Sequence, residues 1–509
     1  MLAKIASSAM QGIDAIACEV EVDTANGGFE RCTIVGLPDA AVRESIERVR
    51  SAILNSGYEY PKTTGIINLA PADLKKEGPA YDLPIAIGTL AGEGIVMRDK
   101  LNNTVIIGEL ALDGRVRPVK GVLAAAIMAR DNQFKNIIVP TDNANEAAVV
   151  QEINVIPVSS LSEAVGFLNG QLDLEAAMVD IEANFATESQ YDIDFSDVKG
   201  QESVKRAITI AAAGNHNILM IGPPGTGKTM LAKRIPTILP ALTLEESLET
   251  TRVHSSLGLL KKDQSLLARR PVRTPHHSAS GPSLVGGGSN PRPGELSLAH
   301  NGLLFLDEFP EFSRSVLENI RQPLEDGTVT ISRAAGTFAF PADFMLVTAM
   351  NPCPCGYLTD PKKKCKCSPN QVERYMAKIS GPLMDRIDIH IEVPAVPFRE
   401  LSDDSDGTNS DEMRKIVLNA REIQAKRLQN EIVLTNSRMN SRLTRKYCLL
   451  NSDCKKLLEQ AVTELGLSAR AHDKVLKIAR TISDLDQTDE IQAHHIAEAI
   501  QYRKLDRRY

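Results

Sequence analysis

A glycine-rich loop is the part of this sequence whose residue types most clearly predict chemistry. It follows a short apolar run at residues 217–221 and precedes a helical pattern. Small residues allow backbone N–H groups to surround phosphate oxygens, a lysine reaches the terminal phosphates, and a hydroxyl binds Mg²⁺. The strand–loop–helix order favours an ATP and Mg²⁺ site over a chance glycine loop. The residues expected to bind the nucleotide are Gly222, Pro223, Pro224, Gly225, Thr226, Gly227, Lys228 and Thr229.

Two adjacent carboxylates follow a second apolar run, at residues 302–306. A buried parallel strand delivers acidic residues in this way at its carboxyl end. Asp307 would then hold Mg²⁺ together with Thr229, and Glu308 would orient or deprotonate the attacking water. The alternative is a capping pair ahead of a helix.

Three further side chains are placed like known AAA+ elements. Asn351 ends a third apolar run, 344–350, and resembles sensor 1, whose amide holds the attacking water or the γ-phosphate. Arg386, within residues 380–388, resembles the arginine finger that a neighbouring subunit supplies, which implies a ring. A salt bridge to Asp385 or Asp388 is the alternative for Arg386. In the tail, Arg470 stands where such proteins place sensor 2.

Four of the eight cysteines lie within fifteen positions: Cys353, Cys355, Cys365 and Cys367. The two short pairs supply four thiolates, enough for tetrahedral zinc with no open position. The loop between them is polar and rich in lysine, so a metal would stabilise it. We predict structural zinc, with free thiols in a cytosolic loop as the alternative.

The composition of the 509 residues is that of an ordinary globular protein, with 43% apolar and 24% charged residues. Because no apolar run approaches the roughly 18 residues of a membrane span, we expect a cytoplasmic protein without a membrane partner. A net charge of −7 argues against a protein that coats nucleic acid with its whole surface. Residues 251–300 differ from this acidic background, with seven Lys or Arg against two acids.

The chain is too long for one hydrophobic core, and its composition changes divide it. Mixed α/β patterns at 1–170 are followed by an acidic linker at 171–197 with eight carboxylates and no Lys or Arg. The nucleotide motifs occupy 198–395, and a second acidic linker, 396–411, precedes a mostly helical unit at 412–509. The fold class predicted is α/β with a C-terminal helical lid.

Several motifs together resemble the magnesium-chelatase-like family of AAA+ ATPases along nearly the whole chain. The most particular ones are residues 273–277 (RTPHH), 286–288 (GGG), 351–357 (NPCPCGY), and 380–382 (SGP) with 385–388 (DRID). The family implies a hexameric ring. Its bacterial competence branch implies a DNA helicase that drives branch migration while transforming DNA is integrated and in homologous recombination, with recombination proteins as partners. The alternative is a chelatase-type remodeller of protein partners for metal insertion.

Two insertions in the ATPase core are candidates for contact with DNA. Residues 269–296 resemble a loop pushed out of the core, and residues 328–340 alternate around a turn at 333–336, which predicts a hairpin. In chelatase-like and replicative relatives, two such insertions point into the pore of the ring. Arginines there would contact phosphates without reading bases, or would simply form a solvated basic surface. These arginines are Arg333, Arg269, Arg270, Arg273 and Arg292.

Residues 65–140 resemble the proteolytic domain of Lon, with its ribosomal S5 domain 2-like fold, through residues 74–79 and 108–121. Lon requires a serine after Gly-Pro and a lysine that activates it. Here Ala80 follows Pro79, and Leu123 stands in the lysine position, with Lys120 three residues earlier. Rescue by Ser45 or Ser51 would need a different geometry. We therefore predict a nonproteolytic interaction or assembly domain, and rank an ATP-dependent protease third among the functions.

Overall fold

The computed structural model describes residues 2–25, 31–61, 64–181, 185, 191–262, 264–288, 290–333, 336–396, 407–465 and 467–503. They form a mixed sheet, a parallel sheet and a group of C-terminal helices. The predicted α/β class is confirmed. Among these residues, no helix combines the length and the apolar content needed to cross a membrane.

Among its described residues, the N-terminal region contains nine strands and five α-helices. The strands are β1 (Leu2–Gln11), β2 (Asp14–Ala25), β3 (Arg31–Val35), β4 (Thr64–Ala70), β5 (Thr104–Ile106), β6 (Glu109–Leu110), β7 (Val116–Arg117), β8 (Asn136–Pro140) and β9 (Asn154–Val158). The helices are α1 (Ala40–Asn55), α2 (Asp82–Gly92), α3 (Val122–Asp131), α4 (Ala144–Ala147) and α5 (Leu161–Leu168).

Seven of these strands form one sheet in the order β3-β4-β2-β1-β5-β8-β9. β1 pairs antiparallel with β2 and parallel with β5. Successive residues of β8 enter different hydrophobic clusters, Ile138 on one face and Ile137 and Val139 on the other. This alternation follows from the two-residue period of a strand, and it shows that helices cover both faces of the sheet.

In the part of the central region that the structure describes there are nine strands and nine α-helices. The strands are β10 (Ile218–Ile221), β11 (Val272–Arg273), β12 (Gly286–Gly287), β13 (Arg292–Pro293), β14 (Leu303–Leu306), β15 (Thr328–Arg333), β16 (Gly336–Pro341), β17 (Met345–Met350) and β18 (Ile389–Glu392). The helices are α6 (Glu202–Gly214), α7 (Lys228–Ile238), α8 (Leu244–Leu257), α9 (Gly281–Val285), α10 (Glu295–Leu298), α11 (Arg314–Asn319), α12 (Arg321–Asp326), α13 (Pro369–Met376) and α14 (Gly381–Met384).

Five central strands form a parallel sheet in the order β11-β14-β17-β10-β18. Every residue of β10, β14 and β17 is buried. Parallel strands covered on both faces require such continuous apolar runs, which is why the sequence runs were recognisable. All three segments predicted to bear the nucleotide chemistry therefore end at the same edge of one sheet.

Two antiparallel ribbons are separate from this sheet. β12 pairs with β13, and β15 pairs with β16, with Arg333 opposite Gly336. The hairpin predicted from the alternation of residues 328–340 is confirmed, while residues 334 and 335 of its turn lie outside the described residues.

The C-terminal region is helical, as predicted. Its helices are α15 (Ser410–Leu428), α16 (Ser441–Tyr447), α17 (Ser452–Leu465), α18 (Ala469–Leu485) and α19 (Ala493–Gln501). Apolar residues of α15 and α18, such as Val417 and Val475, share one buried cluster with Ile218 of the parallel sheet. The tail is therefore packed onto the ATPase core.

The two predicted acidic linkers are only partly described, because residues 182–184, 186–190 and 397–406 lie outside the described residues. The end of the first linker is packed: Phe195 is fully buried, and both carboxylate oxygens of Asp194 accept from the backbone N–H of Ser410. Asp194 thus ties the start of the ATPase region to the start of α15.

The N-terminal region docks on α8 of the ATPase region. The Gly121 N–H donates to the Ser255 carbonyl at 3.1 Å, and the Ser255 hydroxyl donates to the buried Glu146. Leu266 joins a hydrophobic cluster of the N-terminal sheet, and Arg252 forms a 3.1 Å ion pair with Asp14. The interface combines apolar burial with hydrogen bonds and an ion pair.

Candidate functional site

The phosphate loop joins β10 to α7. Gly225 and Gly227 adopt φ values of +80° and +85°, which residues with a Cβ rarely tolerate. The turn sets the loop at the N-terminal end of α7, where unpaired N–H groups and the helix dipole favour an anion. Gln201, which no sequence motif marks, fastens the loop by donating to the Thr226 carbonyl at 3.0 Å.

Lys228 places its ammonium group inside this loop. Its Nζ lies 2.7 Å from the Gly222 carbonyl oxygen, 2.9 Å from that of Pro223 and 3.4 Å from Asn351 Oδ1. Burial lowers the pKa of Lys228, and the charge of Asp307 opposes that shift. A phosphate entering the loop would give this cation a charged acceptor in place of neutral carbonyls, which strengthens the hydrogen bond.

Thr229 and Asp307 are in direct contact. The Thr229 hydroxyl donates to Asp307 Oδ2 at 2.6 Å, and Asp307 Oδ1 accepts from the Glu308 N–H at 2.9 Å. Hydroxyl, carboxylate and phosphate oxygens are the hard ligands that Mg²⁺ prefers. The residues present therefore fit the magnesium ion that accompanies ATP.

Glu308 begins the segment after β14 and has a positive φ of +51°. Its Oε2 lies 3.1 Å from Nδ1 of His277, which packs edge-to-face against Phe312 at 6.5 Å between ring centroids. The sequence marks His277 only as part of a family motif, with no role assigned to it. The sequence signal that could have identified His277 is the pair of histidines just after β11, because β11 is parallel to the strand that ends before Asp307 and Glu308.

Asn351 follows β17, which pairs with both β10 and β14. This strand order brings the predicted residues Lys228, Asp307 and Asn351 to one place. The group can hold a nucleoside triphosphate, its metal ion and an attacking water, the parts that phosphoryl transfer to water requires.

Arg386 lies at the opposite end of the same sheet, where the parallel strands begin. It precedes β18, which runs parallel to β10 with Ile218 opposite Ile389, and its carbonyl accepts from Asn217 Nδ2 at 3.1 Å. Strands of this length span about 13 Å. Within one chain, Arg386 is therefore separated from the phosphate loop by the length of the sheet.

The guanidinium of Arg386 is 11% exposed and lies 2.6 Å from Glu325 Oε1. The pairing alternative from the sequence named Asp385 or Asp388. Asp388 instead forms a 2.7 Å ion pair with Lys474, and burial lowers the pKa of that lysine to about 8 against the opposing charge of Asp388.

Arg470 is exposed and shares a cavity of about 440 Å³ with Arg386, Arg438, Lys474 and Lys477. It lies on the side of Arg386, away from Lys228 of its own chain. Four acids line the same cavity, Glu325, Asp385, Asp388 and Asp473, and two of them pair with Arg386 and Lys474.

The four predicted metal ligands are gathered in space. Their sulfurs lie within 4.8 Å of one another, with 3.4 Å between Cys353 and Cys355, 3.7 Å between Cys353 and Cys365, and 3.5 Å between Cys355 and Cys365. Tetrahedral zinc with ligands at about 2.3 Å separates its sulfurs by about 3.8 Å. The N–H groups of Lys366 and Tyr357 lower the pKa of Cys355 to about 6, which favours its thiolate.

The insertion arginines fall into two groups. Arg333, at the end of β15, and Arg292, in β13, are exposed. Arg273 forms a bidentate ion pair with Glu295, at 2.6 and 2.7 Å.

Arg270 donates to the carbonyls of Pro240 and Asn301, each at 2.7 Å, and pairs with Glu246 at 2.9 Å. Arg269 lies over the ring of Tyr191 at 5.1 Å. Packing therefore already engages Arg269, Arg270 and Arg273 inside the chain. This distinction was invisible in the sequence count of basic residues.

In the N-terminal region, Ala80 and Lys120 line one cavity of about 360 Å³, and Arg292 of the insertion closes part of it. Leu123 is fully buried in α3. The Ser45 hydroxyl donates to the buried Asp82, which also binds Arg48. The Ser45 hydroxyl is therefore already engaged with Asp82. Ser51 is half-buried in α1.

Comparison with known sequence families finds three matches along the chain. "Subunit ChlI of Mg-chelatase" matches residues 20–143, "Magnesium chelatase, subunit ChlI" residues 194–401, and "Magnesium chelatase, subunit ChlI C-terminal" residues 407–503. The three follow the order of the N-terminal, central and C-terminal regions described above.

Two curated relatives match nearly the full length of the chain, and a third matches part of it. Competence protein ComM of Haemophilus influenzae is 45% identical over 512 residues, covering 99% of this chain and 98% of the relative. Uncharacterized protein YifB of Salmonella typhimurium is 44% identical over 510 residues, with the same coverage. The magnesium-chelatase 67 kDa subunit of Chlorobaculum parvum is 28% identical over 164 residues, 31% of this chain and 23% of the relative. With its phosphate loop, paired acids and these full-length relatives, the chain belongs to the magnesium-chelatase-like family of AAA+ ATPases.

Proposed function

We propose that this protein is an ATP-dependent hexameric DNA motor, a helicase that promotes branch migration during integration of transforming DNA and homologous recombination. The observation that carries the proposal is that the cationic side chains expected at the ATP site lie in two separate places within one chain. Lys228 serves the phosphate loop at one edge of the sheet, while Arg386 and Arg470 lie at the other. A ring of identical subunits brings these two edges together at each interface.

Within the site, each side chain has a distinct task. Lys228 and the loop N–H groups bind the phosphates, and Thr229 and Asp307 would hold Mg²⁺, which neutralises phosphate charge. Glu308 accepts the proton of the attacking water. Asn351 orients that water or the γ-phosphate, and Arg386 of the next subunit stabilises the charge of the transition state.

Support for DNA as the substrate comes from the insertions and the relatives. Arg333 and Arg292 are exposed on the two antiparallel ribbons of the central region, where they would bind phosphates without sequence preference. The full-length relative ComM is named a competence protein. Recombination proteins are the partners expected of this role.

The remaining assignments follow the domain pattern. We propose an interaction or assembly domain at 1–170 with a Lon-like fold and no protease activity, an ATPase core at 198–395, and a helical lid at 412–509. Structural zinc on the cysteine cluster would hold the lysine-rich loop at 356–364, because that loop has little apolar surface to bury.

The direct test uses a radiolabelled three-strand DNA junction with purified protein and MgATP. The wild-type protein is expected to dissociate or migrate the junction, and Lys228→Ala is expected to fail because its loop lacks the phosphate-binding cation. Equal activity of both proteins, or activity without ATP, would remove the motor from the mechanism.

A chelatase-type remodeller is the second candidate, favoured by the partial match to the magnesium-chelatase 67 kDa subunit. It would use the same ring to drive metal insertion by protein partners. Stimulation of ATP hydrolysis by branched DNA distinguishes the motor, whereas copurifying partners and metal-insertion activity distinguish the remodeller.

Arg333→Ala is expected to weaken binding to junction DNA and to make the logarithm of the binding constant less dependent on salt, by about one unit of slope for each phosphate that the variant no longer neutralises. The measurement is fluorescence anisotropy across a salt series. Arg115→Ala is a matched control, because Arg115 is 74% exposed but pairs with Asp113 in the N-terminal region. An unchanged slope for Arg333→Ala would mean that the hairpin does not bind DNA.

A further inference from the structure

The cysteine cluster lies directly against the phosphate loop. Gly356, at the end of the turn that begins with Cys353, has a φ of +83°. A Cβ added there would lie 2.7 Å from both Cδ and Cγ of Pro224 and 3.9 Å from Cγ of Asn351. The backbone of the cysteine turn and the ring of Pro224 are therefore in contact with no room for another atom.

The same cluster also borders Asn351 along the chain. Cys353 is fully buried and stands two residues after Asn351. After the second cysteine pair the chain enters α13, where Tyr375 is 7% exposed. The cluster thus begins two residues after Asn351, whose Oδ1 lies 3.4 Å from the Lys228 ammonium.

The loop between the cysteine pairs has little of its own to keep it in place. Leu358 is 45% exposed, and the lysines at 362–364 face solvent. Without a metal, the segment would be held only by weak contacts among four buried or half-buried thiols and by short-range bonds, such as those from the N–H groups of Lys362 and Lys363 to Asp360 at 2.7 and 2.9 Å. Ordering such a segment costs conformational entropy that a metal ion offsets.

We propose that the metal on Cys353, Cys355, Cys365 and Cys367 clamps the phosphate loop, so that metal occupancy and ATP hydrolysis are coupled. The ion is a soft divalent cation of the zinc class. This inference rests on the proposed ATP hydrolysis, and it adds a control of that site. By linkage, a metal whose clamp stabilises the nucleotide-bound form of the loop is itself held more tightly when nucleotide occupies the loop.

Gly356→Ala tests the clamp without touching a ligand. Its methyl group meets the Pro224 ring at a left-handed backbone position, so the phosphate loop must shift. We expect zinc content to equal that of the wild-type protein while kcat for ATP hydrolysis falls about 10- to 100-fold, the cost of misplacing reacting groups by a fraction of an ångström to one ångström. Zinc is measured by plasma mass spectrometry.

Gly94→Ala is the matched control. Gly94 also has a positive φ, +77°, but a Cβ there would meet nothing within 4 Å. Its backbone strain is comparable, so kcat is expected to match the wild-type value. Equal kcat for Gly356→Ala and Gly94→Ala would overturn the clamp.

The reciprocal experiment follows zinc release from the wild-type protein into the chelating dye 4-(2-pyridylazo)resorcinol. MgADP is expected to slow release severalfold, and in Lys228→Ala it is expected to have no effect. Zinc-stripped wild-type protein should lose kcat and regain it when zinc is restored. The inference would be overturned by any of three results: kcat is unchanged after zinc is removed, zinc release has the same rate with and without nucleotide, or the purified protein binds no zinc.

These outcomes separate the inference from the proposed function. A zinc-free protein that hydrolyses ATP and moves junctions would support the proposed DNA motor and contradict the proposed metal clamp. A protein whose zinc is released more slowly with MgADP but which moves no DNA would support the metal clamp and contradict the DNA motor.

Discussion

Arg386→Ala is expected to lower kcat for ATP hydrolysis by about 10³-fold or more, the contribution of an arginine finger, while each chain still binds nucleotide. The reason is the position of Arg386 at the sheet edge opposite the phosphate loop. In one chain its guanidinium pairs with Glu325, and at a subunit interface it would exchange this partner for the charge of the γ-phosphate. The measurements are steady-state ATPase rates and binding of a fluorescent ADP analogue.

Mixing experiments separate a contribution from the neighbouring subunit from a local structural effect. Chains carrying Arg386→Ala retain an intact phosphate loop, and chains carrying Lys228→Ala retain an intact Arg386. Mixed rings then contain some interfaces with both groups intact, so ATPase activity should reappear on mixing. If the mixture stays as inactive as its components while assembling normally, Arg386 does not act across the interface.

Glu308→Gln is expected to lower kcat by about 10²- to 10⁴-fold with little change in ATP binding, because it removes the proton acceptor and keeps the shape of the side chain. ATP should then remain bound and unhydrolysed. Rapid-quench measurements of phosphate formation, together with equilibrium ATP binding, report the two effects separately.

Glu311→Gln is the control for Glu308→Gln. Glu311 lies three residues later in the same 3-10 turn, and its carboxylate forms an exposed 3.0 Å ion pair with Lys378. An exposed pair of this kind contributes about 0–1 kcal/mol to stability, so kcat should be nearly unchanged. Comparable losses for Glu308→Gln and Glu311→Gln would mean that negative charge in this segment, rather than a positioned base, supports hydrolysis.

The phosphate loop and the Asp307–Glu308 pair were predictable because their chemistry is local. Glycines at left-handed positions, a following helix and a fully buried parallel strand each leave a pattern within ten or so residues. The convergence of Lys228, Asp307 and Asn351 also followed, since parallel strands end at a common edge. The hairpin at 328–340 was recognisable for the same reason, through its two-residue alternation.

The basic residues show where such local patterns stop being informative. Arg269, Arg270, Arg273, Arg292 and Arg333 are equivalent in a count of charges, yet packing engages the first three with partners inside the chain and leaves Arg292 and Arg333 exposed. Their partners lie up to about 80 residues away in sequence, as Tyr191 does from Arg269. No local pattern encodes such a distance.

By itself the sequence indicated the type of chemistry: a nucleotide site of the magnesium-dependent kind, a cluster of four cysteines and a parallel sheet to position the acids. The tertiary structure alone decided which groups meet. It set Arg386 at the far edge of the sheet, His277 against Glu308, and Gly356 against Pro224. The physical reason is that loops and strands fix their own backbone conformation locally, whereas contacts between distant segments depend on how whole elements pack.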